Sequence, residues 1–236
     1  MNGLIALVGS GEYLPVMEEV DRHLLASLNV RTSRVVCLPT AAGQEGDESV
    51  DRWSRMGRAH FQKLGADVNA LRIIDKASAN DAQYVPLLEN ADLVYFSGGN
   101  PQYLYETMRD SRAWSALQKA WNSGAVYAGC SAGAMILGGE IPDFRLAGLR
   151  SIKAFGIVPA RFIMPHFDAI PAVWKPLLLL LRKRLRKGER MIGLGENTAL
   201  VGMLGGEWRV MGIGRVHVFT REKYLIYENG RTLNLD

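Results

Sequence analysis

Short apolar runs alternate with longer amphipathic segments through the first 140 residues of the chain. The runs fall at residues 4–8, 34–38, 67–74, 93–96 and 125–128. They are brief, rich in Val, Ile and Leu, and bounded by turn residues, as strands buried on both faces of a parallel sheet are. Between them, residues 16–28, 49–64 and 113–121 place apolar side chains at helical spacing, with Trp53, Met56 and Phe61 available to one face of the second. This alternation predicts a three-layer α/β fold, an open, mostly parallel sheet with helices on both faces.

The second half is less regular. Residues 139–165 carry Gly139, Pro142, Gly148, Gly156 and Pro159 and read as loops and short strands capping a crevice. A helix is expected over 172–187, stopped near Gly188, followed by short β runs at 191–194, 199–204, 208–210, 214–219 and 224–227 that extend or flank the sheet. No repeat or linker divides residues 1–236, which are read as one domain.

Composition narrows the function classes. The 236 residues are 48% hydrophobic and 22% charged, with a formal charge of +4 from scattered residues and one short cluster, so nucleic-acid binding gains little support. Cys37 and Cys130 lie in apolar runs, which disfavours a disulfide and points to a reducing, cytoplasmic setting. There is no signal-peptide pattern, and the apolar run 177–181 is far short of the roughly 20 residues of a membrane span. No CxxC or Cys/His cluster suggests a metal, and no cofactor is expected.

Each early apolar run ends in turn chemistry, and in an open α/β sheet ligands bind where such carboxyl-end loops converge. After the run at 125–128 stands Gly129-Cys130-Ser131-Ala132-Gly133, a G-x-S-x-G sequence between a strand and the helical residues Ala134-Met135-Ile136-Leu137. The glycines permit a turn tight enough to raise Ser131 above the sheet as a nucleophile, with the Ala132 N–H as oxyanion donor. Centring the turn on Cys130 would replace both flanking glycines by alanines, so the frame selects Ser131. The exit Gly98-Gly99-Asn100-Pro101-Gln102 offers the Gly99 N–H as a second donor, or is a plain turn with Pro101 opening a helix.

A serine nucleophile needs a base and the base an orienting acid. His166, in Met164-Pro165-His166-Phe167-Asp168, ends a β run and ranks ahead of His217, a strand residue, and of His23 and His60, read as surface or boundary positions on helices. Glu196, after Ile192-Gly193-Leu194-Gly195, is the leading acid, with Asp168 and Asp143 as alternatives; Asp168 is also a candidate contact for a substrate amine.

These blocks, with Gly195-Glu196-Asn197-Thr198-Ala199-Leu200, resemble the serine peptidase family that contains dipeptidase E (aspartyl dipeptidase) and cyanophycinase. The resemblance spans residues 3–205 and implies a class I glutamine amidotransferase-like, flavodoxin-like fold. It implies a Ser131–His166–Glu196 triad, an oxyanion hole at Gly99 and Ala132, and substrate contacts at Asn100, Gln102, Asp168 and Asn197. The order Ser, His, Glu differs from the Ser, acid, His order of α/β-hydrolases, which would recruit His217. Family members act on small peptides or β-linked aspartyl units. Residues 140–160 carry no specificity block of the family, and Arg145, Lys153 and Arg161 are candidates for a substrate carboxylate or solvated charge.

Two weaker signals remain. Gly9-Ser10-Gly11 lacks the third glycine of a dinucleotide loop, since position 14 is Leu14. The leucine run at 177–181 with its following cations reads as a packed helix whose charges complement its C-terminal dipole. The expectation is a serine peptidase or amidohydrolase, monomer or homodimer, acting on a small peptide or amide through an acyl-enzyme. The alternatives are a catalytically silent ligand-binding member and a glutaminase-like enzyme, whose usual nucleophile is cysteine.

Overall fold

A computed structural model describes residues 2–143, 150–171, 173 and 175–235 of the chain. The first half forms β1 (Ile5–Val8), α1 (Glu18–Ala26), β2 (Arg34–Leu38), α2 (Asp47–Lys63), β3 (Asp67–Ala70), α3 (Val85–Glu89), β4 (Leu93–Phe96), α4 (Pro101–Met108), α5 (Arg112–Asn122), β5 (Val126–Cys130) and α6 (Ala132–Met135). A hairpin of β6 (Glu140–Pro142) and β7 (Ser151–Lys153) follows, then β8 (Phe162–Met164), α7 (Lys175–Lys183) and β9 (Met191–Leu194). The chain ends in β10 (Thr198–Gly202), β11 (Glu207–Gly212), β12 (Val216–Phe219), β13 (Tyr224–Tyr227) and β14 (Thr232–Asn234).

The main sheet has the order β14-β11-β10-β1-β5-β4-β2-β3. Its five strands from β1 to β3 are parallel, while β10, β11 and β14 add on antiparallel. Strand alternation sends Ile5 and Leu7 into the core shared with α4 and α5, and Ala6 and Val8 into the core under α1 and α2. This is the three-layer α/β arrangement read from the sequence. The strand at 67–74 is shorter than expected: β3 stops at Ala70, opposite Cys37 of β2, although Leu71 and Ile73 stay buried.

The second half departs from the expectation that all late strands extend or flank one sheet. Strands β8, β9, β12 and β13 form a separate four-stranded sheet in the order β13-β12-β9-β8, with β8 and β9 parallel. One of its faces joins the main core through Ile163, Ile192 and Val216, and the other packs Phe162, Met164 and Met191 against Leu181 of α7. The helix over 172–187 is shorter too; within the described residues it spans Lys175–Lys183. Beyond it Leu185 dips into the core, the Arg184 carbonyl accepts from Arg161, and the Arg186 N–H donates to Glu189, so only Arg182 and Lys183 lie in the last turn.

His60 is not a surface residue. It is 7% exposed, and its Nε2 lies 2.7 Å from Oδ2 of Asp21, which is 1% exposed, in the layer between α1, α2 and the sheet. Burial raises the Asp21 carboxyl above its ordinary pKa, and the hydrogen bond from His60 opposes that rise. Removing one member of a buried polar pair strands the other. Asp21→Ala is therefore expected to cost about 3 kcal/mol, read as a lowered urea midpoint; an unchanged midpoint would show that the pair carries no stability.

Candidate active site

The end of β5 is held between β1 and β4, with Val8 opposite Cys130 and Phe96 opposite Gly129. The Ser131 N–H still donates to the Val8 carbonyl at 2.9 Å, but its φ of 49° and ψ of −103° swing the chain sharply into α6. A Cβ on Gly129 would sit 2.4 Å from the Gly133 carbonyl carbon, and one on Gly133 would sit 2.8 Å from Phe96 Cβ. The glycines are thus required by contact, and Tyr127 fastens the turn by donating its hydroxyl to the Gly133 carbonyl at 2.7 Å. Helix α6 has only four residues. Its value to an anion lies in local N–H groups such as that of Ala132, which has no intrahelical acceptor, more than in a summed dipole.

His166 and Glu196 come from the second sheet. They follow the adjacent parallel strands β8 and β9, whose carboxyl ends lie side by side. His166 takes a left-handed conformation at φ 51° before a short turn, and Asp168 Oδ1 accepts the Glu196 N–H at 2.8 Å, tying that turn to the acid's own backbone. The segment carrying Glu196 links β9 to β10 and so joins the two sheets. His166 Nε2 lies 3.2 Å from Ser131 Oγ and its Nδ1 3.2 Å from Glu196 Oε1. Both contacts are at the long end of hydrogen-bond range, as is common in unliganded sites.

The Gly98–Gly99 segment lies against Ser131: a Cβ built on Gly98 falls 3.4 Å from Ser131 Cβ. Beneath it is a residue the sequence reading passed over. Glu12, 8% exposed, accepts the Gly98 N–H at 2.8 Å through Oε1 and faces Cys130 Sγ at 2.9 Å through Oε2. The available signal was an acidic residue in the glycine-rich exit of the first strand. Gly9-Ser10-Gly11 is explained by close approach as well, since a Cβ on Gly9 would meet the Gly195 carbonyl oxygen at 2.1 Å and Ser10 Oγ accepts the Asn197 N–H.

Among the other expected contacts, the Asn100 side chain caps α4 by accepting the Tyr103 N–H, with Pro101 as the first helical residue. Gln102 donates to Glu106, and Asn197, at φ 51°, packs beside Gly11. Asn100 and Gln102 line a cleft of about 240 Å³ together with Asp143. A second cavity, of about 350 Å³, holds Ser131 and His166 in its wall and shares Pro101 and Pro142 with the first. Arg161 is bound to Glu140 and Glu189, Lys153 is exposed, and Arg145 lies outside the described residues. His217 does not reach Ser131: its Nδ1 meets the Tyr224 hydroxyl at 2.8 Å and its ring packs on Phe167. Among the described residues no group of three or more His, Cys, Asp or Glu could hold a metal, and no helix is long and apolar enough to cross a membrane.

The model of peptidase family S51 matches residues 4–205. The "Uncharacterized peptidase YgaJ" of Bacillus subtilis (strain 168) is 29% identical over 169 residues, 71% of this chain and 70% of that protein. The crystal structure of a peptidase from an acI-B1 Actinobacterium matches with a TM-score of 0.87 at 33% identity, covering 99% of this chain and 97% of the other. A Listeria monocytogenes EGD-e protein assigned to peptidase E matches with a TM-score of 0.63 at 17% identity, covering 97% of this chain and 99% of the other, a likeness of fold alone.

Two outcomes test the ground under the serine. Burial pushes the Cys37 thiol up to about 12, and burial together with the Glu12 carboxylate pushes Cys130 well above the ordinary thiol range. Both thiols therefore stay protonated at pH 8, and iodoacetamide is expected to modify neither in the native protein but both in urea, as read by mass spectrometry. Glu12→Ala leaves the Gly98 N–H without its acceptor and is expected to cost about 2 kcal/mol in a denaturant titration. Glu12→Gln, which keeps one acceptor oxygen, should recover most of that loss.

Proposed function

Because the chain belongs to peptidase family S51, it is a peptidase, and we propose that it cleaves small peptides through a serine nucleophile, Ser131, with His166 as base and Glu196 as its orienting acid. The observation that carries this reading is the single imidazole standing 3.2 Å from Ser131 Oγ on one side and 3.2 Å from Glu196 Oε1 on the other. A carboxylate on Nδ1 keeps the proton there and leaves Nε2 free to accept from the hydroxyl. Ser131 Oγ attacks the carbonyl carbon as His166 takes its proton, and the oxyanion is received by the N–H groups of Ala132 and Gly99. Collapse breaks the C–N bond, and His166 passes its proton to the leaving amine. Water, deprotonated by His166, then attacks the acyl carbon; the C–Oγ bond to Ser131 breaks, His166 returns the proton to Ser131 Oγ, and the acid product leaves. Asp168 holds the Glu196 backbone, so its part is to position the acid. The two buried, unpaired cysteines support a reducing, cytoplasmic compartment.

Fluorophosphonate labelling tests the nucleophile: an adduct on Ser131 is expected and must vanish in Ser131→Ala, whereas an unlabelled wild type would indicate a silent crevice. His166→Ala should lower kcat/KM about a thousandfold or more. Glu196 is close to half exposed, with a side-chain accessibility of 46%, so water replaces part of its effect. Glu196→Gln is therefore expected to cost roughly ten- to a hundredfold, and an unchanged rate would remove Glu196 from the mechanism.

A further inference from the structure

The cavity of about 350 Å³ beside Ser131 is walled by Pro101, Met135, Pro142, Met164, Ile170 and Leu178, with Ser131 and His166 in the same wall. Its volume suits one large side chain with part of the neighbouring backbone. Apart from His166, none of the described residues lining it is ionisable. The polar groups gather instead in the adjoining cleft, around Asn100, Gln102 and Asp143. Arg161, close in the sequence to Met164, is held by Glu140 and Glu189 and does not line the cavity. Among the described lining residues a carboxylate entering here would leave water and meet no Lys or Arg, whereas a Leu, Met or Phe side chain would exchange water for apolar contact.

We infer that this cavity is a specificity subsite for an apolar side chain, so that the enzyme favours small peptides with Leu, Met or Phe beside the cleaved bond and discriminates against Asp and Glu there. The inference rests on the proposed role of Ser131, because the presence of Ser131 and His166 in the wall is what places a bound side chain next to the scissile amide. The cavity is assembled from both sheets. Met135 follows the nucleophile turn, while Met164, Ile170 and Leu178 come from β8, the segment after His166, and α7. Selectivity is thereby built into the segments that also bring the base.

The test uses the full chain and two matched peptide series, Xaa-Ala and Ala-Xaa, offered as dipeptides and inside tetrapeptides, with Xaa as Leu, Met, Phe, Asp or Glu. Fluorophosphonate labelling of Ser131 is measured in parallel. In at least one series, kcat/KM is expected to be tenfold or more higher for the apolar residues than for the acidic ones. Leu178→Arg, and independently Ile170→Arg, place a cation in the cavity and should narrow the leucyl-to-aspartyl ratio by about tenfold. A labelled Ser131 with acidic residues equal or preferred in both series, or with no peptide cleaved, overturns the subsite while leaving the nucleophile standing. An unlabelled Ser131 overturns the mechanism itself and the subsite with it.

Discussion

The candidate site depends on the close passage of the segment between β9 and β10 across the end of β1. Gly9 lies so near Gly195 that a side chain on it would overlap the Gly195 carbonyl, and the Gly9 N–H donates to the Thr198 carbonyl at 2.8 Å. That seam is where the second sheet meets the first. It sets the exits of β8 and β9 over the exit of β5, and so brings an imidazole and a carboxylate from one sheet to a hydroxyl on the other. Backbone hydrogen bonds and steric contact fix it more firmly than flexible side chains would.

Around the seam the backbone is held in unfavourable conformations. Ser131, His166 and Asn197 all have positive φ, a state that costs a non-glycine residue about 1–3 kcal/mol when it lies outside the common regions. Each is restrained by neighbours that cannot easily give way: Ser131 by its bond to Val8, His166 by the Asp168 link to Glu196, and Asn197 by Ser10. Beneath the turn, Glu12 occupies a place where an apolar residue would leave the Gly98 N–H unsatisfied.

The sequence was informative where local pattern and tertiary contact coincide. Short apolar runs ending in glycine marked the parallel strands, and the glycine frame around Ser131 marked its turn, because the contacts that demand those glycines lie within a few residues or on the next strand. His166 and Glu196 could be named as strand-exit residues, but not the sheet they belong to. The runs 191–194 and 214–219 look like any buried strand, and nothing in period-two alternation states which strand pairs with which. Glu12 and the Asp21–His60 pair escaped notice for a related reason: their partners are 86 and 39 residues away, and a buried acid reads in sequence like an exposed one. The cations at 182–187 suggest one dipole-complementing last turn, whereas Arg184 and Arg186 lie beyond the helix, where the Arg184 carbonyl accepts from Arg161 and the Arg186 N–H donates to Glu189.

Splitting the site between two sheets has a mechanical consequence. The gap between Ser131 and His166 is a tertiary quantity, set by how one sheet rests on the other, so under the proposed mechanism a sub-ångström slip along the seam would uncouple proton transfer while every strand remains intact. Turnover is then expected to respond to loosening of the fold before spectroscopic structure does, so that mild denaturant or warming would silence the protein while its circular dichroism is still native.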